Sequence, residues 1–169
     1  IDPDTETFQA NIEDLERKIT PKTKALIINN PNNPTGVVYS EETIKKVAAI
    51  LDAKQKEYGT EIFIVSDEPY RELAYDGVEV PYITKYYNNT IVGYSFSKSL
   101  SLPGERIGYL VIPDEVDDAE QMKTAAAIAT RVLGFVNAPS LMQRAVARCI
   151  DAKCDVDSYN RNREALYNG

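Results

Sequence analysis

Histidine is absent from this 169-residue sequence. That excludes His-liganded metal sites and every Ser-His-Asp or Cys-His catalytic set. Chemistry must therefore fall to Lys, Asp, Tyr, Arg and Asn. Three such residues stand out by position: Asn33 comes shortly after one apolar run, Asp67 directly follows a second, and Lys98 closes a short polar turn after a third. In open parallel sheets, ligands bind beyond the carboxyl ends of the strands. Three neighbouring strands would then aim an amide, an acid and an amine at one crevice. Among side chains, the lysine amine is the one suited to Schiff-base formation. Taken singly, none of the three is diagnostic, because a Lys after a strand is most often solvated and an Asp in a turn is usually a cap.

The elements that must position these residues are readable from periodicity. Ile1 to Glu6 is polar and turn-like, and Asn11 to Ile19 reads as a short amphipathic helix. Lys24 to Asn29 (KALIIN) is a continuous apolar run with β-branched residues, as expected of a strand covered on both faces. The Asn/Pro/Gly cluster from Asn29 to Gly36 must turn. Ser40 then opens a helix with Glu41 and Glu42 in its first turn. Ile44, Val47, Ala48 and Leu51 recur at helical spacing, and Gly59 stops the helix after Tyr58. Glu61 to Ser66 (EIFIVS), Thr90 to Ser95 (TIVGYS) and Ile107 to Ile112 (IGYLVI) are further strands, the first two separated by a Tyr-rich irregular stretch. Beyond Pro113 the pattern is helical, over about Val116 to Leu133, Ser140 to Ile150 and Val156 to Tyr167. The alternation predicts an α/β fold with a mostly parallel sheet flanked by helices.

Composition narrows the class. Hydrophobic residues make up 43% and charged residues 27%, which fits one compact domain and excludes disorder or a collagen-like chain. The balance of 19 basic to 26 acidic residues, a formal −7, disfavours nucleic acid as a partner, because phosphate backbones need clustered Lys and Arg. No stretch is apolar enough to cross a bilayer, and no signal peptide is expected from the first residues. Cys149 and Cys154 match no zinc pattern, and unpaired thiols fit a reducing cytoplasm. The chain opens on Ile and its last helix runs to the final residues, as expected of a piece of a longer protein.

Three blocks carry a resemblance. Asn33-Pro34-Thr35-Gly36, Asp67-Glu68-Pro69-Tyr70, and Ser95-Phe96-Ser97-Lys98 followed by Gly104-Glu105-Arg106-Ile107-Gly108 resemble the signature blocks of the class I/II aminotransferases. These are the fold-type-I pyridoxal-phosphate (PLP) enzymes that include aspartate aminotransferase. The blocks stand in the family's order, and the resemblance runs from Asp2 to about Tyr167. It implies that Lys98 is the catalytic residue, holding PLP as an internal aldimine and then shuttling a proton between the substrate's α-carbon and the cofactor. By the same resemblance Asp67 pairs with the pyridine nitrogen, Asn33 and Tyr70 donate to the ring's phenolic oxygen, and Ser95 and Arg106 grip the phosphate. A cis Asn33–Pro34 bond would aim the Asn side chain into the crevice.

The implied activity is transfer of an amino group from an amino acid to a 2-oxo acid, in a cytoplasmic homodimer. Residues 1–169 would be a partial PLP-binding large domain. Two parts of the enzyme would be lacking: an amino-terminal part with a Gly-rich phosphate loop and a ring-stacking aromatic, and a carboxy-terminal small domain with the arginine that grips the substrate carboxylate. About 153–169 would begin the helix leading to that small domain. Alone, the segment is expected to be non-catalytic, to bind PLP weakly and to pair through its open strand edges. Tyr75, Tyr86 and Tyr87 are expected to be packing or interface residues. A carbon–sulfur β-lyase or a related PLP enzyme would need the same Lys, Asp and Arg. An aminotransferase-like sensor domain of a transcription regulator would share the scaffold. Both readings stay open at this point.

Overall fold

Asn11 starts the first helix, α1 (Ile12–Lys18), by accepting the Asp14 N–H at 2.9 Å. Glu13 and Asp14 in its first turn, and Arg17 and Lys18 in its last, suit the helix dipole. After β1 (Ala25–Asn29), Ser40 caps α2 (Glu41–Tyr58) by accepting the Thr43 N–H at 3.1 Å. Gly59, at φ 63°, supplies the left-handed residue that ends it. Then follow β2 (Phe63–Asp67), β3 (Thr90–Ser95), the one-turn α3 (Phe96–Ser99), β4 (Gly108–Val111), α4 (Ala119–Val132), α5 (Ser140–Arg148) and α6 (Val156–Asn168). The Tyr-rich stretch between β2 and β3 is irregular, as expected, and holds two 3₁₀ turns, Arg71–Leu73 and Ile83–Lys85. The structure, a computed structural model, describes residues 1–169.

The strands form one sheet in the order β1-β2-β3-β4. β1, β2 and β3 run parallel, with Asn29 opposite Asp67 and Asp67 opposite Gly93. β4 returns antiparallel, with Ser95 opposite Gly108, because the connection from β3 spends its residues on α3 and a 3₁₀ turn (Pro103–Glu105) rather than on a crossover. The sheet is therefore mostly parallel, as the alternation of elements predicts. Gly108 is required where it stands: a Cβ there would lie 2.3 Å from the Tyr94 carbonyl oxygen.

Strand alternation sorts the side chains onto two faces. Ile28 and Ile64 share a face with the buried Ser66 and Thr90, and on it pack Leu15 of α1 and the Ile44, Val47, Ala48 and Leu51 stripe of α2. Each of the Leu, Ile and Val side chains contributes about 1.5–3 kcal/mol on leaving water. The opposite face carries Ile27, Val65, Ile91 and Leu110, of which Ile27 is 73% and Leu110 58% exposed. The apolar run of the first strand implies cover on both faces, yet within this chain Ile28 is buried while Ile27, on the other face of β1, stays exposed. Exposed apolar residues also mark the α4–α5 region, at Val132, Leu133, Phe135 and Leu141. No helix is long and apolar enough to cross a membrane, and Cys149 and Cys154 are free thiols.

Candidate active site

β1 and β2 end in register, and Asn29 uses that coincidence. Its Nδ2 donates to the Asp67 carboxylate at 3.0 Å and to the Asp67 carbonyl at 3.1 Å, while its Oδ1 accepts the Asn33 N–H at 2.7 Å. One amide thus ties Asp67 to the loop after β1. Two peptide bonds in that loop, Asn30–Pro31 and Asn33–Pro34, are cis. From the loop, Asn33 Nδ2 donates to the Tyr70 hydroxyl at 3.1 Å. The Lys98 ammonium lies 5.5 Å from the centre of the Tyr70 ring, within reach of a cation–π attraction. Asn33, Tyr70 and Lys98 line a single open cleft of about 710 Å³, with Pro31, Tyr75 and Arg163 also in its wall.

Adjacent acids divide between two tasks. Asp67 is exposed at the strand end, whereas Glu68 is 4% exposed. Glu68 accepts from Ser66 Oγ at 2.7 Å and from Arg71 Nε at 2.8 Å. Arg71 in turn donates to the carbonyls of Val80 and Pro81, at 2.7 and 3.0 Å, and stacks over Tyr82 at 3.9 Å. This buried clamp sets the path of the chain on either side of Tyr70. A buried charge is tolerable only when paired and hydrogen-bonded in this way.

Lys98 sits on α3, whose start is capped by Ser95: its hydroxyl accepts the Ser97 N–H at 3.1 Å and donates to Ser97 Oγ at 2.7 Å. Asp67, Ser95 and Arg106 do not line the cleft that holds Asn33, Tyr70 and Lys98. The Ser95 hydroxyl is occupied by the helix cap. Arg106 stands at φ 50° after its 3₁₀ turn, exposed, with Nη1 donating back to the Pro103 carbonyl at 2.8 Å.

Sequence reasoning missed two contributors. Asn29 had a signal, as the polar last residue of an apolar run that ends level with Asp67. Arg163 had none: it arrives from α6, pairs with both oxygens of Asp76 at 2.8 and 2.9 Å, and stacks over Tyr75 at 4.8 Å. The guanidinium holds the Asp76 carboxyl below its ordinary range. Tyr75, expected to be a packing residue, is thus part of the cleft wall.

The sequence model of the family described as aminotransferase class I and II matches residues 2–168. The chain belongs to the class I and II aminotransferases. Among solved aminotransferases, that of Eubacterium rectale is 55% identical, superposes with a TM-score of 0.94, and is matched over 98% of this chain and 42% of its own. A PLP-dependent aminotransferase from Streptococcus suis is 32% identical with a TM-score of 0.60, over 80% of this chain and 32% of its own. The aspartate aminotransferase of Sulfolobus acidocaldarius is 32% identical over 95% of this chain and 38% of its own length. The chain spans less than half the length of these aminotransferases.

Proposed function

We propose that this chain is the lysine-bearing part of the large domain of a PLP-dependent amino-acid aminotransferase, with about 153–169 leading toward a small domain. One observation carries the reading. The Lys98 amine lies over Tyr70, whose hydroxyl takes the Asn33 amide, in one cleft at the carboxyl edge of β1 and β2, and Asn29 ties Asp67 to the loop that carries Asn33.

The donor set fits the cofactor. PLP, when bound, supplies an aldehyde that can take up an amino group and a ring that withdraws electrons from the substrate's α-carbon. Lys98 would hold the aldehyde, and its amine would move the proton at the substrate's α-carbon. The Asp67 carboxylate would favour the protonated pyridine nitrogen by opposite charge. Asn33 and Tyr70, already hydrogen-bonded to each other, would donate to the ring's phenolic oxygen. Ser95 and Arg106 would hold the phosphate. For that, Arg106 exchanges the Pro103 carbonyl for an anion, a stronger, charge-assisted partner. The donor would be an amino acid and the acceptor a 2-oxo acid, in a homodimer, and the free cysteines favour the cytoplasm.

The test is borohydride reduction of the full-length protein with PLP, followed by peptide mapping and product analysis. The cofactor is expected on Lys98, with one 2-oxo acid formed for each amino acid made. An adduct on Lys45 or Lys123 removes the catalytic assignment. Release of ammonia and pyruvate in place of amino transfer points to a lyase.

A further inference from the structure

The hydroxyl of Tyr94 joins the segment that carries Lys98 to the segment that carries Tyr70. It lies 2.7 Å from Ser99 Oγ and 2.7 Å from Glu72 Oε1. Ser99 is the residue after Lys98 on α3, and Glu72 lies in the 3₁₀ turn that starts directly after Tyr70. Tyr94 itself lines no part of the cleft. Strand alternation sends its side chain to the face opposite Ser95. There its ring packs edge-on against Phe96 at 5.4 Å and stacks on Tyr109 at 5.1 Å.

A helix of four residues cannot hold its own orientation, because nucleation costs more than one turn of hydrogen bonds returns. Ties at both ends must fix α3. Ser95 supplies one at the amino end; the Ser99–Tyr94 bond supplies the other, beside the amine. Glu72 needs the same hydroxyl: its Oε2 is buried without a hydrogen-bond partner, so Tyr94 is its donor. Burial, with the Glu72 carboxylate adding to it, raises the phenol above its ordinary value, so it stays protonated and able to donate.

We propose that Tyr94 is a positioning residue for Lys98: its hydroxyl, held between Glu72 and Ser99, fixes how the one-turn helix presents the amine to the cleft. The inference rests on the role of Lys98 proposed above.

The experiment follows, in the full-length protein, the rate at which borohydride fixes PLP on Lys98, alongside steady-state amino transfer and thermal midpoints. Tyr94→Phe keeps the ring and removes the hydroxyl; Ser99→Ala breaks the same link without touching the aromatic cluster. Each is expected to slow capture by about tenfold and to lower kcat with KM for the amino acid held within about twofold. The double variant is expected to be no slower than the slower single, because both remove the Tyr94–Ser99 bond. Capture at the wild-type rate in Tyr94→Phe overturns the proposal. So do additive losses in the double variant, or a loss matched by the fraction unfolded. If Tyr94→Phe fails to fold, Ser99→Ala decides alone: slowed capture supports the link and wild-type capture overturns it. Absence of capture by wild-type protein defeats the functional reading first, and this inference with it.

Discussion

Replacing Arg71 with Met tests the buried clamp beside Tyr70. Methionine keeps an unbranched stem and removes the guanidinium. Glu68 then remains 4% exposed with its Oε2 unpaired, and the carbonyls of Val80 and Pro81 lose their donor. The Arg71 side chain is itself only 15% exposed, so solvent cannot readily replace it. Breaking one partner of such a buried pair costs about 3–5 kcal/mol. The two carbonyls belong to a surface segment and can turn to water, so they add little. Glu68→Gln keeps the shape and one acceptor, and is expected to cost about 1–2 kcal/mol. The double variant should cost less than the sum, since the stranded charge is gone. Urea unfolding followed by far-ultraviolet circular dichroism suits a chain without tryptophan. With a slope of about 2 kcal/mol per molar, Arg71→Met should lower the midpoint by about 2 M. A midpoint within about 0.5 M of wild type, or a Glu68→Gln loss equal to that of Arg71→Met, would refute the reasoning.

Other consequences can be checked as directly. Tyr70→Phe takes away the hydroxyl that Asn33 meets at 3.1 Å; Kd for PLP in the full-length protein should rise about tenfold in an absorbance titration, and an unchanged Kd counts against the assignment. Buried Asp14 is held below the usual carboxylate range by Lys18, then by the Asp2 N–H and Arg17. Its folded pKa is depressed, so its stabilisation is present above the unfolded value of about 4 and fades as pH falls below it. The urea midpoint of wild type should therefore drop more steeply from pH 5 to pH 3 than that of Asp14→Asn, and equal slopes would sink the claim. Gly108→Ala brings a Cβ to 2.3 Å from the Tyr94 carbonyl, whereas at Gly93 the nearest atom is 3.7 Å away. The first should cost about 3 kcal/mol or give insoluble protein, and the second less than about 1 kcal/mol, as read by thermal midpoints.

What could be read from the sequence was whatever local pattern encodes. Ser40, the Ile44–Val47–Ala48–Leu51 stripe and Gly59 define α2 by cap, period and stop, and the helix runs as they require. The ends of the apolar runs are equally plain, and they point to Asp67 and Lys98. Long-range partners leave no such mark. Arg163 and Asp76 are far apart in the chain and meet only because α6 folds back over the loop after Tyr70. Tyr94 sits in an apolar run, and its half-buried ring packs on Phe96 and Tyr109; only the packed structure shows its hydroxyl turned to Ser99 and Glu72. The KALIIN run declares that β1 seeks apolar cover, but a run of residues cannot name the segment that supplies it.

The division of labour between Asp67 and Glu68 places a parity condition on β2. Asp67 meets Asn29 because it falls on an odd step of the pleat, and its neighbour reaches Arg71 because it falls on an even one. Inserting or deleting a single residue between Phe63 and Ser66 would trade their places. The shorter acid would then stand opposite the guanidinium, and the longer one would project toward Asn29. Strand length here can change only by twos, and directed-evolution libraries that vary this segment should return even-numbered indels alone.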